Sequence, residues 1–273
     1  MPTDKSKTER NTIMNHDLHM EVIDMTQKEN RVLPLCHGVI PGSRPYHHTI
    51  VAGSETVFAA NTGYYHILIL IGGEADFVCN GETVRFDERV TFVPGADQEL
   101  TVKALTDTQI LEIQWDIFPE DEGMLKEYGT TFPHYVLYRN SIQYIDRNKS
   151  EKTISRMMIP HKVIPRFSLG SVESFGYDLV KPHSHPMLDQ FFFSFPENDM
   201  EVIIDDEKIP MKGDTILYIP LGSNHGVEVT GDRHMHYMWI DFLPDNELGL
   251  KRLESSHMPT GKWNSFSADG KKS

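Results

Sequence analysis

Two imidazoles two residues apart open the stretch best equipped for chemistry. It runs Lys181-Pro182-His183-Ser184-His185-Pro186-Met187-Leu188-Asp189-Gln190-Phe191-Phe192-Phe193. Further on comes Gly213-Asp214-Thr215-Ile216-Leu217-Tyr218-Ile219-Pro220-Leu221-Gly222-Ser223-Asn224-His225. Residues two apart on an extended chain share a face, so His183 and His185 can converge on one atom. Asp189 and Gln190 add a carboxylate and a carboxamide. Alternation puts these two on opposite faces, so at most one of them reaches the same point, and Pro186 is placed to supply the bend that brings it there. His225 follows a Pro-x-Gly turn at the end of a strand-like run, and in an antiparallel barrel such a turn can return to the same mouth. Three imidazoles and one oxygen donor suit a first-row divalent cation. The plain alternative is a surface loop with two stray histidines, and the position of His225 argues against it.

A second set of residues could move protons. His234 and His236 share a face of a late strand, and an unperturbed imidazole titrates near neutrality. Tyr218 and Tyr237 each offer a hydroxyl. His236, Tyr218 and Tyr237 are therefore the candidate acid–base residues, against the plain reading that histidines and aromatics on strands serve packing.

The two stretches resemble the paired sequence motifs of the cupin superfamily. The first motif is His-x-His, three or four residues, Glu, then a strand and a glycine; the second is Gly, a short strand, then Pro-x-Gly-x-x-His. His183, His185 and His225 match three metal-ligand positions. Gln190 stands where the family has Glu, which keeps an oxygen donor and removes a negative charge. Pro196-Glu197-Asn198-Asp199 makes the turn for which the family uses glycine. The resemblance covers the chain from Met20 to Phe242. It implies one divalent transition metal ion (Zn, Mn, Fe or Ni) held by His183, His185, Gln190 and His225, and a homodimer.

The elements that position these residues are short strands punctuated by Gly, Asn, Asp and Pro. Helical periodicity is nearly confined to Asp121–Tyr128 and Glu247–Glu254. An internal repeat organises the strands. His37-Gly38-Val39-Ile40-Pro41 recurs as His161-Lys162-Val163-Ile164-Pro165, 124 residues later. The same shift carries His66 onto Gln190 and Trp115 onto Trp239. The expected architecture is all-β, with two tandem cupin-type jelly-roll barrels: a mobile arm at 1–18, a first barrel at 19–118, a connector at 119–142, a second barrel at 143–243 and a tail at 244–273, which drapes or frays from His257 on. In the first unit Ala59, Asn61 and Gln98 fall where the second has its histidines, and only His66 remains. That set is poor for a metal, so the first barrel is expected to be metal-free.

Composition narrows the partners. Forty acidic against 26 basic residues give a formal net charge of −14, which argues against a nucleic-acid partner. Cys36 and Cys79 are too few for a disulfide framework, no apolar run approaches a membrane span, and the first residues lack the apolar core of a signal peptide. These features fit a cytoplasmic protein. The expectation is a metal-dependent enzyme acting on a small oxygenated metabolite (a sugar, sugar acid or keto acid) by isomerisation or another proton transfer. The neutral Gln190 places non-redox chemistry ahead of an iron-dependent dioxygenase. A non-enzymatic barrel that binds or senses a small molecule is the third reading.

Overall fold

The strand Tyr64–Gly72 is buried at seven successive positions, and Phe167–Phe175 at eight. Such runs are covered on both faces, so each barrel must have a second layer of protein behind it. The structure, a computed structural model, describes residues 19–273 and shows how this is done. The arm expected at 1–18 lies outside the described residues.

The first barrel packs a six-stranded sheet on a four-stranded one. The larger has the order His134–Leu137, Val90–Val93, Tyr64–Gly72, Thr108–Asp116, Ser43–Ile50, Arg31–Pro34. The smaller has the order Glu55–Phe58, Leu100–Ala104, Ala75–Cys79, Glu82–Phe86. The second barrel repeats this plan. Its larger sheet runs Met20–Val22, Thr215–Ile219, Asp189–Ser194, His234–Phe242, Phe167–Phe175, Ile154–Ile164, Ile142–Ile145, Met258–Pro259. Its smaller sheet runs Asp178–His183, His225–Val229, Asp199–Ile204, Glu207–Lys212. The fold is therefore all-β, two jelly-roll barrels in tandem, and the repeat seen in the sequence is a repeat of strand order.

The two units exchange edge strands. Met20–Val22, within the segment assigned to the first barrel, pairs antiparallel with Thr215–Ile219 of the second. His134–Leu137, within the expected connector, pairs with Val90–Val93 of the first. Each exchanged strand covers a sheet edge that would otherwise expose its backbone donors and acceptors.

The larger sheets face one another across a shared core. Ile67, Ile69 and Ile113 of the first barrel and Phe191, Phe193 and Ile240 of the second belong to one buried cluster. Each barrel also has its own interior, with Leu68 and Phe92 in the first and Phe192 and Trp239 in the second. Strand alternation explains the division: Phe191 and Phe193 point to the shared core, Gln190 and Phe192 into the second barrel.

The helical stretch expected at Glu247–Glu254 is the helix Asn246–Ser256. The Asp245 carboxylate caps the helix Asn246–Ser256 by accepting from Leu248 N at 3.0 Å. Met258–Pro259 then adds an edge strand beside Ile142–Ile145. Leu253 packs on Leu188 and Leu243, so the helix is pinned beside the mouth of the second barrel.

Candidate metal centre

Backbone geometry brings the three histidines together. His183 ends a strand that pairs with the strand His225–Val229, and His183 lies directly opposite His225. The register shifts between Val180 and His183, where Pro182 can give no ladder hydrogen bond. Gly226 lets these strands close up, because a Cβ there would lie 2.6 Å from Val180 O. Gly222 takes a φ of 78°, and Ser223 N donates to Pro220 O at 3.0 Å, which closes the turn ahead of His225. The ring centroids lie 4.7 Å apart for His183 and His185, 5.0 Å for His183 and His225, and 5.4 Å for His185 and His225. One nitrogen from each ring lies within 4.8 Å of the others.

Hydrogen bonds orient two of the rings. His183 Nδ1 donates to Lys181 O at 2.7 Å and His225 Nδ1 to Ser223 O at 3.2 Å. A carbonyl only accepts, so both rings carry a proton on Nδ1, the tautomer in which Nε2 is the metal-ligating type of nitrogen. Burial, reinforced by His183, lowers His225 to about 4, so at neutral pH its imidazole is uncharged and competent to bind a cation.

Gln190 supplies the oxygen. Its Nε2 donates to Asp241 Oδ1 at 2.6 Å, which fixes the amide orientation. Its Oε1 is buried with no hydrogen-bond partner among the described residues. Such an orphan acceptor is costly unless a cation or donor meets it. Asp189, on the other face, accepts from Tyr218 Oη at 3.3 Å, outside the cavity. Two oriented imidazoles, a third beside them and an orphan amide oxygen fit a divalent transition metal ion.

These residues line a cavity of about 260 Å³ in the second barrel. Phe192, Val180, Val227 and Trp239 give it an apolar wall, and Leu253 and His257 close it from the tail. The His257 ring lies 4.3 Å from Tyr144 and 5.1 Å from Trp239, and burial holds it well below its usual titration range. Asp146, Arg147, Lys149 and Asp241 also line the cavity. Burial raises Asp241 to about 7 against the opposing pull of Gln190 and Lys149. Burial lowers Lys149 to about 8, with Asp146 and Asp241 opposing. Spacing gave no sign of Tyr144, Lys149 or His257, which reach the cavity from the strand Ile142–Ile145, the turn after it and the folded tail.

None of the three residues expected to move protons lines this cavity. His236 is 2 % exposed; its Nδ1 meets Glu197 Oε1 and its Nε2 meets Tyr138 Oη, both at 2.6 Å. Tyr237 is buried against Phe192, ring centroids 4.7 Å apart. Tyr218 packs against the shared core with its hydroxyl on Asp189. Glu173, His234 and His236 also gather ligand-type atoms within 4.8 Å. There the Arg156 guanidinium already occupies Glu173, at 2.9 Å, and His234 stacks on Phe175 at 3.8 Å. That cluster forms an ion-pair network between the barrels, extended by the paired hydrogen bonds of Arg89 to Glu197, both 2.8 Å.

The first barrel lacks the triad, at positions slightly different from those expected. Phe58 pairs with Leu100 as His183 pairs with His225, and His66 faces Gln114 as Gln190 faces Asp241. Two ligand positions are thus apolar. His66 Nδ1 and His48 Nε2 both lie 2.6 Å from the Glu112 carboxylate, a buried arrangement the spacing did not reveal.

A two-barrel cupin fold with a histidine cluster in the second barrel is the class these features define. Many solved structures are similar to the chain, among them the following three. A cupin 2 conserved barrel domain protein from Leptotrichia buccalis shares 13 % identity over 81 % of this chain and 92 % of that one, with a TM-score of 0.55. Salicylate 1,2-dioxygenase from Pseudaminobacter salicylatoxidans shares 9 % over 83 % and 79 %, TM-score 0.60. Oxalate decarboxylase from Bacillus subtilis, which has Mn(II) centres, shares 12 % over 86 % and 84 %, TM-score 0.58. No protein-family model and no curated protein matches the chain. Among the described residues no helix is long and apolar enough to cross a membrane.

Proposed function

We propose that the second barrel is the active site of a metal-dependent enzyme acting on a small oxygenated metabolite by proton-transfer chemistry. The observation that carries this reading is the buried, unmatched Oε1 of Gln190 in the same cavity as the three converging histidines. His183, His185, His225 and Gln190 would hold the ion, which when bound supplies Lewis acidity toward a substrate oxygen. Asp241 is a positioning residue: by accepting from Nε2 it turns the amide oxygen of Gln190 outward. The apolar wall and the tail exclude water, which strengthens every charge interaction inside. Lys149 and Asp241 are ionisable side chains facing the same cavity, placed beside a bound substrate where a proton can be held or moved. The cavity volume, near the lower end of ligand pockets at about 300 Å³, favours a metabolite smaller than a nucleotide.

Elemental analysis of protein purified without chelator or immobilised-metal resin tests the reading. Wild type should carry a stoichiometric divalent transition metal, and His183→Ala and His225→Ala should lose it. Equal trace metal in all three proteins would refute the ligand set. Oxygen uptake by the ferrous protein with organic acids would shift the reaction class to dioxygenation while leaving the site intact.

A further inference from the structure

We propose that Lys149 is the anchor for a carboxylate on the substrate, so that the cavity is built for small oxygenated acids rather than neutral sugars. This rests on the metal reading of the same cavity.

The Lys149 side chain is only 7 % exposed, an unusual place for an ammonium. Its Nζ donates to Tyr144 Oη at 2.7 Å and lies 4.7 Å from the centre of the Tyr144 ring. The phenol positions the charge without neutralising it. The one carboxylate paired with it, Asp146, stands 3.6 Å away, beyond good hydrogen-bond distance, and its other oxygen accepts from Asn148 N at 2.8 Å. An ammonium has three donors, and these contacts leave at least one for a ligand. A desolvated cation so loosely matched is held ready for an anion brought in from solution.

The rest of the wall supports the same sign. Arg147 lies exposed at the cavity's edge, and a divalent cation at the histidines would add two positive charges. Against these stand only the carboxylates of Asp146 and Asp241 on the cavity wall. The loaded cavity is thus net positive although the chain as a whole carries −14. An acid with a second oxygen function satisfies both ends: its carboxylate meets Lys149 and its other oxygen faces the histidines. A neutral polyol would leave the ammonium buried and poorly paired.

Calorimetry on manganese-loaded protein separates the possibilities, with pyruvate and lactate as probes and hydroxyacetone and propylene glycol as their uncharged counterparts. Both acids should bind wild type more tightly than their counterparts. Lys149→Met should weaken the acids by roughly ten- to a hundredfold, the range for a charged hydrogen bond, with metal content unchanged. Asp146→Asn removes the competing carboxylate and should tighten acid binding several-fold, a gain that misfolding cannot produce. Metal-loaded wild type that binds neither acid, or acids unaffected by both substitutions, would overturn the anchor alone. Wild type that takes up no metal would instead overturn the reading on which it rests.

Discussion

At the scale of single residues, Gln190 separates this site from the motif it resembles. A glutamate there would stand beside Asp241, now 2.6 Å from the Gln190 amide nitrogen. Two buried carboxylates in contact repel, and the pair retains a proton. Gln190→Glu is therefore expected to destabilise chelator-treated protein by about 1–3 kcal/mol and to gain more from added metal than wild type does. Thermal melts with and without manganese measure both effects. A variant as stable as wild type without metal would show that Asp241 is not held against residue 190. The histidines were legible in the sequence because their geometry is local: two sit two residues apart and the third follows a turn. Lys149 and Asp241 were not, because their meeting depends on which strands pair and in what register.

At the scale of elements, the site depends on two strands lying close enough to present His183 opposite His225. Gly226 permits that approach, and it cannot take a side chain without moving the Val180 carbonyl. Gly226→Ala should leave both barrels folded, with an unchanged far-ultraviolet circular dichroism spectrum, and weaken metal binding by at least roughly tenfold, as misplacing one ligand would. Wild-type affinity in that variant would mean that the bulge after Val180 absorbs the added methyl. Strand alternation makes His234–Phe242 and Thr215–Ile219 legible, and Asn80-Gly81, a hairpin signal in the sequence, forms the turn between Cys79 and Glu82. The placement of the first barrel's ligand positions slipped to Ala59, Asn61 and Gln98 because loop lengths differ between the units. Pairing, not spacing, identifies Phe58 and Leu100. From His257 the tail is polar, which gives no sequence signal of what it covers; Leu253 and Met258 are two of its apolar side chains, and they line the cavity.

At the scale of the whole molecule, exchanged strands and a shared core bind the barrels into one unit. Buried carboxylates set its acid limit. Burial alone would raise Glu112, but its hydrogen bonds to His48 and His66 outweigh this and lower it from 4.5 to about 2. Glu173 is likewise lowered to about 2, by His234, His236 and Arg156 against burial. A carboxylate depressed in the folded state contributes its stability fully above its unfolded value. That stability, roughly 3 kcal/mol for a shift of this size, is lost as pH falls through the folded value. Since Glu112 lies in the first barrel and Glu173 in the second, both should fail together. Acid titration followed by tryptophan fluorescence and circular dichroism should show one transition between about pH 4.5 and pH 2. Two separated transitions would mean that the barrels unfold independently.

The most direct test is an anomalous difference map from crystals grown with manganese or zinc. The predicted result is a single peak among His183, His185 and His225, with Gln190 Oε1 at about 2.0–2.4 Å from it. A peak at Glu173, His234 and His236 instead, or Gln190 turned away from the ion, would contradict the account.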